Sequence, residues 1–115
     1  MSEAPAGDLF LSRVDALLTK GEPLPLSPLA AGLVVAVEMG LADSRGFARA
    51  FGVEHALVLR EIALLSGEGG LVIVTGRDPR TLRTSLALSA RGVQVLGERC
   101  GQVGRQTPQS ADVAP

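Results

Sequence analysis

Arginine is the reactive chemistry that this sequence holds in concentration. Arg77, Arg80 and Arg83 fall in and beside one short polar turn, with Arg91 following, and Asp78 stands against them. Between Leu71 and Gly92 that gives four minus one, a local charge of +3. Arg45 and Arg49 stand four apart, so on a helix they share a face. Planar guanidinium groups grip phosphate oxygens two at a time, and arginine is favoured in a narrow DNA minor groove, so both clusters suit a phosphate backbone. The same clusters would also serve as a solvated face. Between Glu54 and Glu68 the only cationic or potentially cationic side chains are His55 and Arg60. Glu54, Glu61 and Glu68 outweigh Arg60 there, one minus three, or −2.

Other chemistries find little material. With one histidine and one cysteine there is no metal constellation of ordinary ligand spacing, and His55 is not placed for a Ser-His-Asp arrangement. His55 reads as a surface or capping-turn residue ahead of a ligand or acid–base group. Gly67-Glu68-Gly69-Gly70 lies between a helix and a strand, the wrong order for a phosphate loop. The expectation is a protein that is no enzyme and takes no cofactor. Cys100 has no internal partner, which fits a reducing cytoplasm. The net charge of −1 gives no global pull toward nucleic acid or membrane, and the lack of Trp and Tyr removes base-stacking platforms. MSEAPAGD has neither the basic start nor the apolar run of a signal peptide. The most apolar stretch, Pro28 to Val37, stops at Glu38, too soon to span a bilayer.

The elements that must position these residues follow from periodicity and punctuation. In a chain of 115 residues, residues 1–7 and 101–115 are expected to be disordered, leaving one domain over 8–100. A first helix is expected from Asp8 to Lys20, with Phe10, Val14, Leu17 and Leu18 on its apolar face and Ser12, Arg13, Asp15 and Thr19 elsewhere. EPLPL is an extended linker. Ser27-Pro28 opens a second, central helix to about Met39, and Asp43-Ser44 caps a short third, Arg45 to Phe51. Gly52-Val53 makes a tight turn into a fourth helix capped by Glu54. Leu71 to Thr75 and Arg83 to Leu88 then form a β-hairpin around the turn Gly76 to Leu82, and Ser89 caps a last helix to about Cys100. The fold class is mainly α with a small antiparallel hairpin, a winged helix-turn-helix domain.

From about Leu33 to Leu96 the sequence resembles the MarR family of bacterial regulators. In that family a helix-turn-helix leads through Gly-Leu-Val into a wing bearing Asp-x-Arg, and a strand ends in Leu-Thr-x-x-Gly. The matching pieces are Gly70-Leu71-Val72, Asp78-Pro79-Arg80 and Leu88-Ser89-Ala90-Arg91-Gly92, with Ser in place of Thr. The resemblance implies a homodimer on pseudo-palindromic duplex DNA, the fourth helix in the major groove and the wing toward the minor groove. Arg60 matches the family's arginine in the recognition helix. The candidate DNA-binding residues are therefore Arg45, Arg49, His55, Arg60, Arg77, Arg80 and Arg83, with Asp78 expected to hold Arg80 by a paired contact. The first helix and the last are short for this family. A dimer would use the apolar faces around Phe10, Val14, Leu17, Leu18, Val93 and Leu96. Because the fourth helix is acidic and apolar, a second reading stays open, a winged-helix protein-interaction or dimerisation module without DNA binding.

Overall fold

The computed structural model describes residues 3–22 and 24–101, with side chains described from residue 8 onward. The elements run α1 (Glu3–Thr19), α2 (Pro28–Glu38), α3 (Ser44–Phe51), α4 (His55–Leu65), β1 (Val72–Arg77), β2 (Thr84–Leu88) and α5 (Ala90–Cys100). Helix α1 begins before Asp8, the expected N-cap. Residues 1–2 and 102–115, parts of the expected disordered ends, lie outside the described residues.

Helix α2 is the centre because its sequence leaves it no polar face. Ala30 through Val37 are all buried, and the helix packs against α1, α4 and β2. The Ser27 hydroxyl accepts from the Ala30 amide at 3.0 Å, satisfying one of the free donors of the first turn. Asp43 caps α3 in the same way through the Gly46 amide at 2.7 Å, and Gly52 ends it in the left-handed region at φ 66°. Glu54 flanks the start of α4 with no side-chain capping bond.

The hairpin is antiparallel, pairing Val72 with Leu88 and Arg77 with Thr84, with a bulge between Val74 and Gly76. Val72 is buried and every later residue of β1 is exposed, so β1 projects as the outer strand of a wing, while Thr84 and Leu86 keep β2 against the core. A bridge from Asp43 to Ser85, with the Leu86 amide donating to the Ala42 carbonyl at 2.8 Å, ties β2 to the segment before α3.

Two glycines of the matching motifs have a shared physical reason. A Cβ on Gly92 would collide with the carbonyl oxygen of Leu71, and one on Gly70 with the carbonyl oxygens of Leu65 and Gly67. Ser89 closes the joint. Its amide donates to Leu71 at 3.0 Å, and its hydroxyl donates to Gly70 at 2.7 Å while accepting from the Gly92 amide at 2.9 Å. Gly-Leu-Val and Leu-Ser-x-x-Gly are thus the two halves of one interlock at the root of the wing.

Helix α1 corrects two expectations. Arg13, assigned from periodicity to the polar side, is buried at 4% exposure. It grips Glu38 with two bonds of 2.8 and 2.6 Å and donates to the carbonyls of Cys100 at 3.0 Å and Gly101 at 2.9 Å. Arg99 returns the contact, donating to the carbonyls of Leu17 at 3.2 Å and Glu22. Each helix therefore supplies an arginine to the carboxyl end of the other, where the exposed carbonyls and the helix dipole favour a cation. The second correction concerns the expected dimer face. Leu17 and Leu96 lie in the monomer's own core, with Phe10, Val14 and Leu18 packed against it. Phe10 stacks on Phe51 at 5.2 Å, and Phe51 lies 4.6 Å from Phe47. Of the expected residues only Val93 stays exposed, at 59%.

Candidate nucleic-acid interface

Three successive residues at the amino end of α3 each hold one residue of the wing. The Asp43 carboxylate oxygen that caps α3 also meets Arg83 Nε at 3.4 Å. The Ser44 hydroxyl accepts from the Thr84 amide at 2.9 Å. Arg45 donates through Nη2 to the Thr81 carbonyl at 3.1 Å. The wing is therefore fastened to the helix-turn-helix through its turn, at Thr81 and Arg83, and at the start of β2, at Thr84.

The tip is shaped from within. The Asp78 amide donates to Arg83 O at 2.9 Å, and the Leu82 amide donates to Asp78 O at 2.7 Å. Asp78 Oδ1 accepts from the backbone amide of Arg80 at 2.8 Å. Asp78 does fix the position of Arg80, but through an Asx turn on the main chain, so the expected paired contact to the guanidinium gives way to a local bond. Leu82 sits at φ 64°, a left-handed conformation that is costly for a leucine, with its side chain 47% exposed.

All six candidate arginines are exposed, yet they differ in what occupies them. Arg45 and Arg83 clasp the wing, and Arg77 Nε reaches Thr84 Oγ1 at 3.3 Å. Among the described residues the guanidinium groups of Arg49, Arg60 and Arg80 make no hydrogen bond or ion pair within the protein. Arg45, Arg49 and His55 line, with Ala48 and Val53, an open hollow of about 300 Å³ between α3 and α4. The structure thus gathers Arg45, Arg49 and His55, places Arg77, Arg80 and Arg83 along the wing, and leaves Arg60 by itself on α4.

His55 is engaged inward. Its Nε2 lies 2.7 Å from Ser44 Oγ. Burial first, and then the Arg45 guanidinium, hold its pKa below the ordinary 6.5, against an opposing pull from Asp43. The imidazole therefore favours its neutral form. Burial likewise raises the pKa of the Cys100 thiol, which donates to the Arg13 carbonyl at 3.3 Å and stays protonated.

The outer face of α4 is mostly apolar. Ala56, Leu57, Ala63 and Leu64 are exposed around Arg60, Leu57 at 44% and Leu64 at 71%. The wing clasp itself escaped the sequence reading. Asp43 and Ser44 were legible as helix caps, but their second partners lie about 40 residues further on, where no local spacing signals them.

No protein-family model matches this sequence, and no curated protein matches it. Among solved structures, it is similar to the crystal structure of a transcriptional regulator (MarR family) from Rhodococcus sp. RHA1. That likeness has a TM-score of 0.54 and 19% identity, covering 98% of this chain and 77% of the other. Among the described residues no helix is long and apolar enough to cross a membrane. At that identity the likeness is one of architecture, and the element order agrees with it: the chain has a winged helix-turn-helix fold of the MarR type.

Proposed function

We propose that residues 8–100 form a cytoplasmic transcriptional regulator that binds duplex DNA as a homodimer. The observation that carries this reading is that, of the guanidinium groups left unspent by the fold, Arg49 stands on α3, Arg60 on α4 and Arg80 at the wing tip, with Arg91 on α5 outside these elements. An arginine with no partner in its own protein is available for a phosphate or a base edge, and these three stand on the three elements that a winged helix brings to DNA. Arg45, Arg77 and Arg83 serve in part as wing fasteners, and each retains donors for phosphate. Arg60 offers the base readout, and His55 supports the hollow beside it.

For the dimer, Leu9, Leu11 and Val93 are, among the described residues, the large apolar side chains that α1 and α5 leave exposed. Their burial would contribute about 25 cal/mol per Å² toward association. Sedimentation that finds only monomer at micromolar concentration would remove the dimer from this reading.

A salt titration on random-sequence duplex DNA tests the main proposal. Binding at low salt should weaken with a log–log slope of about −0.9 for each phosphate neutralised. Arg80→Ala and Arg49→Ala should each lower the magnitude of that slope by about one. Absence of binding at low salt, or binding indifferent to these arginines, would sink the proposal.

A second reading has its own observation, the exposed Leu57 and Leu64 on α4, flanked by Glu54, Glu61 and Glu68. On that reading α4 docks on a protein, and Leu57→Ser with Leu64→Ser abolishes a complex while the arginine variants leave it intact.

A further inference from the structure

The bond that joins the wing to α4 passes through one hydroxyl. Ser44 and Thr84 are both fully buried. Ser44 Oγ accepts from the Thr84 amide at 2.9 Å and lies 2.7 Å from His55 Nε2. A serine hydroxyl has one proton to give and two lone pairs to receive. With the imidazole neutral and its proton on Nδ1, Ser44 donates to His55 and accepts from Thr84, so each group has a partner of the right kind. A proton on Nε2 reverses one bond. Two donors then aim at the Ser44 oxygen, and the hydroxyl proton loses its acceptor in a buried position, where an unmatched polar group is costly.

The charges around the ring weigh against that proton. Arg45 and Arg49 face the hollow from α3, and Asp43 at the cap of α3 pulls the other way while engaged by Arg83 of the wing. Glu54 precedes the ring on its own element.

We propose that the Ser44 hydroxyl is a positioning joint that fixes the wing to the amino end of α4, and that protonation of His55 loosens it. The joint belongs to the free protein. Its effect on DNA rests on the regulator reading and has a distinctive sign. A histidine that met phosphate would strengthen binding on acidification, whereas loosening of the wing weakens it although a positive charge has been added.

His55 is the chain's one histidine, so its ring nitrogens are unambiguous in NMR spectra of the full chain without DNA. The expected results are an Nδ1–H tautomer at neutral pH and a Thr84 amide that titrates with the midpoint of His55. The protection of that amide, corrected for intrinsic exchange, should fall about fivefold on acidification, the equivalent of one net hydrogen bond. In Ser44→Ala the midpoint of His55 should rise toward 6.5. Should that variant not fold, His55→Gln carries the test. It leaves the buried serine in place and should abolish the pH response of the Thr84 amide. An Nε2–H tautomer, or a Thr84 amide that ignores the titration of His55, overturns the joint. A joint confirmed in this way alongside no binding to DNA would count against the regulator reading alone.

Discussion

Arg13 and Gly92 show how much of this fold rests on single residues that meet main-chain atoms. Arg13 and Glu38 have side chains 5% and 4% exposed, and both are removed from water. Breaking such a pair strands a charge. Arg13→Met is therefore expected to cost about 3–5 kcal/mol in denaturant unfolding. Adding Glu38→Leu should recover the part of that loss due to the stranded carboxylate, while the Cys100 and Gly101 carbonyls still lack their donor. Gly92→Ala is expected to destabilise by about 3 kcal/mol, since the obstacle is the rigid carbonyl of Leu71 and no side chain can move aside. His55 contributes a pH dependence whose sign follows from its lowered pKa. The folded state holds the ring neutral more strongly than the unfolded chain does. Its contribution is present above about pH 6.5 and is lost as pH falls from there through the folded pKa. Thermal melts of wild type and His55→Gln should differ in slope across that window, the variant being the flatter.

At the scale of elements, the parts written in local chemistry were the legible ones. Ser27 before Pro28, Asp43 before Ser44 and Ser89 before the last helix each satisfy a first-turn amide, and each was visible as a cap. The hairpin was legible from its β-branched strand and its Asp-Pro turn, although its paired region runs on through Arg77, beyond Thr75. What stayed hidden depends on tertiary partners. Periodicity makes helix α1 amphipathic with Arg13 outside, because it assigns a charged residue to solvent unless a buried carboxylate awaits it, and Glu38 is 25 residues away. The α4 face was legible as acidic and apolar, yet which of its leucines remain exposed is decided by packing against α2 and α3. The wing tip gives a test at this scale. Leu82→Gly should relieve the left-handed conformation and stabilise the domain by about 1 kcal/mol in thermal unfolding. On the regulator reading it leaves the salt slope on DNA unchanged, because Leu82 carries no charge.

At the scale of the whole molecule, the apolar surface that α1 and α5 would have offered to a second copy is largely spent on the chain itself. Leu17 and Leu96 are interior, and the exchange of Arg13 and Arg99 locks the two helices together. The large apolar side chains exposed there among the described residues, Leu9, Leu11 and Val93, are separate residues on two helices. A dimer built on them is expected to be weaker than one with interlocked terminal helices. Concentration-dependent sedimentation should show exchange between monomer and dimer, and Leu11→Glu should shift the balance fully to monomer with no loss of helix content. If the variant sediments as wild type does, the interface lies elsewhere.

The grip of Arg13 on the end of α5 also sets an order of events during synthesis. Arg13 and the Cys100 carbonyl are separated by 87 residues, nearly the full described chain, so this closure carries one of the largest loop entropies available to the domain. On a ribosome, α2, α3, α4 and the wing can find one another while α1 still has no partner for its guanidinium beyond Glu38. The last turn of α5 must emerge before Arg13 can be fully satisfied. Residues near the beginning of the chain are therefore settled by those near its end, and a product stopped before Cys100 would present an incomplete lock to the proteases that survey new chains.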